Sequence, residues 1–173
     1  KQLVEWQGQP LVRRAAQAAL QAGLDPVVVV TGAFAVEVQA ALHDLPVQVV
    51  FNPDWPAGQS TSLRAGLAVL PERARAALFL LSDQPYLTPE LIQALARRHA
   101  ETQAAVVAPR ADGRRANPVL FDRCAFPELL ALQGDAGGRQ IIDRYPVEYV
   151  DWPDERILLD VDTPDDLRKI RSW

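Results

Sequence analysis

Residues 78–85 constrain the fold of this chain more than any other segment. The four apolar residues at 78–81 form an unbroken run, which predicts a strand buried on both faces of a sheet. Pro85 has no backbone N–H and cannot continue a central ladder, so the strand must end before it. Asp83 is therefore predicted to lie just past the carboxyl end of a parallel strand, where open α/β sheets bind their ligands.

A carboxylate at the position of Asp83 can act in two ways. It suits a divalent cation that carries phosphates. Alternatively, it only caps the segment that follows, which is the more common role of an isolated aspartate after a strand. The other motifs along the chain favour the role as a ligand.

Apolar runs and helical patterns alternate along the whole chain. Helices are predicted at 9–22, 33–42, 60–70, 88–100, 124–132, 139–144 and 163–172, and strands at 26–31, 47–51, 78–81, 104–109, 118–121, 147–150 and 156–159. This alternation predicts a three-layer α/β fold, in which a doubly wound, mostly parallel, Rossmann-like sheet carries helices on both faces. We expect a single domain over residues 1–173. A dinucleotide-binding domain shares the alternation, but its G-x-G-x-x-G string does not occur here.

Local signals predict where two helices begin. Ser60 or Thr61 is expected to cap the third helix with its hydroxyl group. Thr88 is expected to cap the fourth helix, because Pro89 then occupies the first helical position, where its missing N–H costs nothing.

The composition excludes several classes of function. The chain has 173 residues, of which 49% are apolar and 23% charged, and this suffices for one globular core. A net charge of −4 and scattered basic residues do not indicate nucleic-acid binding. No apolar run approaches the roughly 20 residues that span a membrane, and nothing resembles a signal peptide. The single cysteine, Cys124, excludes an internal disulfide and fits a reducing, cytoplasmic compartment. We expect a monomer.

A second acidic segment covers residues 158–167. In an extended chain Asp160 and Asp162 point to the same face, so either could meet Asp83 over the sheet edge and share one Mg²⁺. Asp162 also precedes a helix, where it could serve as a second cap. The next two carboxylates lie in the first helical turn, where they favour the helix dipole, and are interpreted as structural: Asp165 and Asp166.

Two small polar loops could contact an anion or a base. Residues 58–63 include Gly58 and Ser62 and open a helix, whose first N–H groups can hold an anion. Residues 134–139 combine glycines, which permit close backbone approach, with Arg139, which can fork onto a phosphate. Taken alone, the second loop is more often a plain turn.

In chain order, the candidate residues resemble one known family. The residues that carry the likeness are Asn52, Trp55, Gly58, Ser62, Asp83-Gln84-Pro85, residues 115–119 with Asn117, Gly134-Asp135, Arg139 and residues 160–164. Their ordered combination resembles the molybdenum cofactor nucleotidyltransferases, whose MobA-like fold is of the nucleotide-diphospho-sugar transferase type. The cytidylyltransferase branch is the most similar. Residues 1–11 also resemble the segment after this family's N-terminal signature, so the likeness covers nearly the whole chain.

The chain departs from the family at its amino end. The family has a first strand and a glycine-rich phosphate loop ahead of the lysine that Lys1 matches, and neither is present here. We therefore expect that the natural protein has residues upstream of Lys1, whose strand lies near the middle of the sheet. Two smaller departures are Ala116, where glycine is usual, and Gly138, where alanine is frequent.

The resemblance implies a nucleotidyltransferase that moves CMP from CTP to the terminal phosphate of a molybdopterin-type cofactor and releases pyrophosphate. It implies that Asp83 and Asp162 hold Mg²⁺ and that Lys1 neutralises phosphate charge. Gly58 and Ser62 would then face the base. The residues facing the acceptor would be Asn117 and Arg139, and a molybdoenzyme would receive the product.

Two alternatives remain open at this point. The first is a transferase of the same fold that uses GTP, or one that uses a sugar phosphate as acceptor, because base choice is partly read by the absent loop. The second is a non-catalytic binding module of the same fold, which a genuine lack of that loop would favour.

Overall fold

The computed structural model describes residues 2–161 together with residues 166, 168 and 170. The helices are α1 Leu11–Gln21, α2 Ala35–Ala41, α3 Gln59–Ala68, α4 Pro89–Thr102, α5 Phe126–Ala131 and α6 Arg139–Ile142. The strands are β1 Glu5–Trp6, β2 Gln9–Pro10, β3 Val28–Thr31, β4 Gln48–Phe51, β5 Ala76–Phe79, β6 Val106–Ala111, β7 Arg114–Arg115, β8 Val119–Asp122 and β9 Val147–Asp151. Short 3₁₀ turns cover Trp55–Ala57, Arg123–Ala125 and Glu155–Leu158.

The predicted order of helices and strands is largely confirmed. Thr88 caps α4 as expected, since its side chain accepts a hydrogen bond from the backbone N–H of Leu91. The strand predicted at 156–159 is wrong: a 3₁₀ turn occupies Glu155–Leu158, and the Asp154 side chain caps it by accepting from the N–H of Arg156. The helix predicted at 163–172 lies largely outside the described residues.

The predicted α/β class is confirmed, and its sheet is mixed. β3 and β4 pair in parallel, and β9 pairs in parallel with β6. β8, in contrast, is antiparallel to both of its neighbours, β5 and β6. The cause is the hairpin at Asp112 and Gly113, whose positive φ values fold β7 back along β6, so that the chain returns between β6 and β5 in the opposite direction.

Two apolar clusters lie on opposite faces of β6 and produce the three layers. Val106 and Ala108 pack with the α5 and α6 side of the molecule, whereas Val107 and Ala111 pack with α4. This alternation follows from the two-residue period of a strand. In the described part of the chain, no helix has the length and apolar character needed to cross a lipid bilayer.

A cleft of about 1410 Å³ separates the β3–β4 pair from the larger sheet. β3 forms one side of the cleft and β5 the other, and among the described residues each pairs with a single partner, β4 and β8 respectively. Helices α1 and α3 cover its two faces. A salt bridge of 3.4 Å joins Arg73, just before β5, to Asp25, just before β3, so the two strands run in the same direction.

Candidate functional site

The two acidic segments meet beyond the carboxyl end of β5. The backbone N–H of Val161 donates to the carbonyl oxygen of Asp83 at 2.8 Å. Beside this contact, Nε2 of Gln84 donates to Oδ1 of Asp160 at 3.0 Å. The structure thus places Asp160 next to the segment that carries Asp83, as the sequence pattern anticipated. Asp162 and Lys1 lie outside the described residues, so their assignments stay predictions.

One carboxylate oxygen of Asp83, Oδ1, is buried, whereas the residue as a whole is only half-buried. Gln84 is only 8% exposed, and its Oε1 is a buried acceptor that has no hydrogen-bond partner among the described residues. Within residues 2–161, 166, 168 and 170, no three His, Cys, Asp or Glu side chains gather as a complete metal cage. A cation here would therefore take part of its shell from ligand oxygens and water, as Mg²⁺ commonly does.

Asn52 holds the first polar loop in shape. Its side chain is 3% exposed, and its Nδ2 donates to Oγ1 of Thr61 at 2.7 Å and to Oγ of Ser62 at 3.1 Å. Its backbone N–H donates to the carbonyl of Thr31 at the end of β3. The loop is therefore tied to the sheet. The Ser62 hydroxyl accepts from Asn52, and a hydroxyl that accepts one hydrogen bond can still donate its own hydrogen.

The helix cap predicted at Ser60 or Thr61 is wrong. Gly58 occupies the cap position of α3, and both predicted residues lie buried inside the helix. The Thr61 hydroxyl instead donates to the carbonyl of Gly58 at 2.8 Å. The physical reason is the backbone of Gly58, whose φ of 110° and ψ of 171° turn the chain earlier than a serine or threonine cap would allow.

The two polar loops touch each other. The N–H of Ser60 donates to the carbonyl of Gly134 at 3.2 Å, and the N–H of Gln59 reaches Oδ1 of Asp135 at 3.4 Å. A Cβ on Gly58 would come within 2.3 Å of the backbone carbon of Gly134. The loops that the sequence presented as two separate candidates are therefore one surface.

We expect Gly58→Ala to destabilise the protein by about 3 kcal/mol. The φ, ψ region of Gly58 is essentially restricted to glycine and costs another residue on the order of 1–3 kcal/mol. The added Cβ must also displace the backbone of Gly134, and overpacking typically costs about 1–3 kcal/mol. Urea unfolding would measure the loss. Gly113→Ala is the matched control, because it also has positive φ but nothing lies within 4 Å of its new Cβ; an equal loss in both variants would contradict the proposed clash.

The remaining candidate residues line the carboxyl-end mouth of the cleft. Ser62, Asn117 and Arg139 border the same cavity as Gln84 and Asp160. The cleft therefore brings together residues from the first turn of α3, the segment before β8 and the start of α6. Gly58 and Asp83 do not line the cavity themselves, but their chain neighbours Gln59, Ser82 and Gln84 do.

A hydrogen-bonded cluster fixes the segment that follows Arg139. The Tyr145 hydroxyl donates to Oε1 of Glu128 at 2.6 Å, and Nη1 of Arg144 donates to Oε2 at 2.7 Å. These two donors lower the pKa of Glu128, and its carboxylate in turn raises the pKa of Tyr145 to about 12. The cluster stays intact at neutral pH and holds α6 against α5.

Sequence reasoning missed two functional candidates. Gln84 belongs to the Asp83-Gln84-Pro85 motif, and its one sequence signal is a polar residue directly before a proline that ends an apolar strand segment. Gln59 packs its Oε1 where a Cβ on Gly137 would lie, at 2.5 Å, so this glycine leaves room for the glutamine. No sequence signal indicated that contact, because the two residues belong to different loops.

Comparison with known proteins gives a consistent result. Residues 1–149 match the family model described as the MobA-like NTP transferase domain. Nicotine blue oxidoreductase of Paenarthrobacter nicotinovorans is 31% identical over 179 residues, which cover 98% of this chain and 87% of that protein.

Solved structures show the same fold. The crystal structure of Rv0371c with manganese, from Mycobacterium tuberculosis H37Rv, superposes with a TM-score of 0.86 at 30% identity, covering 98% of this chain and 90% of that one. A nucleotidyl transferase from a Methanothermobacter species superposes with a TM-score of 0.82 at 23% identity, covering 99% and 83% of the two chains.

Proposed function

The chain belongs to the MobA-like NTP transferase family and is a nucleotidyltransferase, and on that basis we propose that it transfers CMP from CTP to the terminal phosphate of a molybdopterin-type cofactor. The observation that carries the proposal is the meeting of the Asp83 and Asp160 segments at the mouth of the cleft. The same mouth is bordered by Ser62, Asn117 and Arg139, which offer donors for a base and for phosphates.

Each of these residues has a role in the proposed reaction. An oxygen of the acceptor phosphate attacks the α-phosphorus in line, and the bond to the bridging oxygen breaks, so that pyrophosphate leaves with that electron pair. Ser62 would donate to the base, and Asn117 and Arg139 would orient the acceptor. Lys1 would neutralise charge on the triphosphate. The protein thus mainly positions two polyanions and offsets their charge.

The acidic residues fit a divalent cation. The fit rests on carboxylate oxygens from two segments, which are hard donors of the kind that Mg²⁺ prefers. The buried Oε1 of Gln84 beside them is a further oxygen acceptor. Asp83 would hold the cation with Asp162, or with Asp160 in its place. When bound, Mg²⁺ supplies charge neutralisation and polarises the α-phosphoryl group. The manganese in the Rv0371c crystal structure supports a divalent cation in this family.

The cleft between β3 and β5 supports a further part of the proposal, namely that the natural protein has a strand upstream of Lys1 that fills it. β3 and β5 run in the same direction and face each other across the cleft. Val28 to Val30 and the residues of β5 are only half-buried, although unbroken apolar strands of this kind belong in the interior. Gln2, at the amino end of the described residues, lines the same cleft.

We also propose a cytoplasmic location and transfer of the product to a molybdoenzyme. The location is supported by Cys124, which is an exposed free thiol and suits a reducing compartment.

The test is a screen of CTP, GTP, ATP and UTP with Mg²⁺ and molybdopterin-type acceptor, with pyrophosphate as the readout. We expect release at least about tenfold faster with CTP than with the others. Faster release with GTP, or release only with a sugar phosphate, would move the protein to another branch of the fold. No release with any pair would favour a binding module.

A further inference from the structure

Gln84 has an amide whose orientation is fixed by its neighbour. Its Nε2 donates to Oδ1 of Asp160 at 3.0 Å, and an ionised carboxylate can only accept hydrogen bonds. The amide nitrogen must therefore face Asp160, and Oε1 must face the other way.

The Gln84 carbonyl oxygen is a buried acceptor that receives no hydrogen bond from the described residues. The side chain is 92% buried, because only 8% of it is exposed, and Oε1 has no hydrogen-bond partner among the residues that the structure describes. An unsatisfied buried acceptor costs free energy, whereas leucine would fill the same space without that cost. Gln84 also lines the cleft, so a ligand in the cleft can supply the missing donor.

We propose that Gln84 is a positioning residue for the divalent cation, acting through Asp160 and through water. Its Nε2 holds the Asp160 carboxylate at the cleft, and its Oε1 accepts a hydrogen bond from a water of the hydrated cation. Mg²⁺ and Mn²⁺ keep several waters when they bind beside phosphates, and those waters are strong donors. This inference rests on the proposed function for the presence of the cation.

The position of Gln84 supports this role. It follows Asp83 directly, and the hydrogen bond from Val161 to the Asp83 carbonyl locks the two acidic segments together on either side of it. Gln84 therefore joins the two segments predicted to bind the cation: it is the chain neighbour of Asp83 and is hydrogen-bonded to Asp160. Residues that orient metal ligands in this way commonly change metal affinity by about 10–100-fold when they are replaced.

The test is Gln84→Leu, with Mn²⁺ binding to the full chain measured by the loss of the free-ion electron paramagnetic resonance signal, with and without CTP. We expect the dissociation constant for Mn²⁺ to rise about 10–100-fold. We expect the thermal midpoint without metal to stay the same or to rise, because leucine removes the unsatisfied acceptor. A merely structural glutamine would give the opposite pattern, with lower stability and unchanged affinity.

The matched control is Gln21→Leu. Gln21 is exposed at the end of α1 that leads towards β3, at the opposite edge of the sheet, so Mn²⁺ affinity should not change. Gln84→Leu that binds Mn²⁺ within twofold of the wild type would overturn the inference, as would a wild-type protein that does not bind Mn²⁺. If the wild type binds Mn²⁺ but releases no pyrophosphate, the proposed function is wrong. The change in Mn²⁺ affinity of Gln84→Leu then still decides whether Gln84 positions the cation.

Discussion

Asp83→Asn is expected to lower kcat/KM for CTP about 10³-fold while leaving the fold intact. The substitution keeps the shape of the side chain and removes the negative charge that would hold the cation. Lewis-acid stabilisation by a cation is worth several kcal/mol, and about 4 kcal/mol corresponds to roughly three decades in rate. The backbone contact between Asp83 and Val161 does not involve the side chain, so the acidic segments should still meet. Pyrophosphate release measures the rate, and thermal unfolding checks the fold.

Asp25→Asn is the matched control for this substitution. Asp25 lies at the amino ends of the strands, where it forms an exposed 3.4 Å ion pair with Arg73. Such pairs contribute at most about 1 kcal/mol to stability, so the control should be close to the wild type in both rate and midpoint. Full activity of Asp83→Asn, or an equal loss in both variants, would remove the basis for the metal assignment.

The meeting of the acidic segments was predictable because it follows from local rules. An apolar run ends at a proline, and a carboxylate after it must lie at the carboxyl edge of the sheet. The structure places Asp160 beside that edge, through Gln84 and Val161. The alternation of helices and strands could also be predicted, because the spacing of apolar residues within each segment indicates whether it forms a helix or a strand.

What escaped prediction depends on contacts between distant segments. The Asp112-Gly113 turn reverses the chain after β6, but the place of β8 between β5 and β6 depends on pairing with β5, which lies far away in sequence. The backbone conformation of Gly58, which sets the start of α3, is packed against Gly134, and this contact joins loops that are far apart in sequence. The 3₁₀ turn at Glu155–Leu158 replaced a predicted strand because the Asp154 side chain captured the N–H of Arg156.

The strand proposed upstream of Lys1, joined to residues 1–173, is expected to raise the thermal midpoint by about 10 °C. A strand of four residues between β3 and β5 could form about eight backbone hydrogen bonds, four to each neighbour. At about 0.5–1.5 kcal/mol each, less the entropy of ordering the segment, several kcal/mol remain. One kcal/mol corresponds to about 2–4 °C for a domain of this size. Calorimetry of the two proteins measures the difference.

Hydrogen exchange distinguishes strand insertion from general stabilisation. The amides of β3 and β5 should gain protection well beyond the change in global stability, because the inserted strand would pair with them. The amides of α4, which is already buried on β6, should gain no more than the global change. The matched control replaces alternate apolar residues of the upstream segment with lysine, which keeps its length but prevents burial on one face of the sheet. The cleft would not be a strand site if the upstream segment left the amides of β3 and β5 unprotected. The same conclusion would follow if the lysine variant protected those amides equally well. If the amides of both β3 and β5 gain protection, the inserted segment must pair with both strands. Pairing with one of the two strands would leave the amides of the other exposed to exchange.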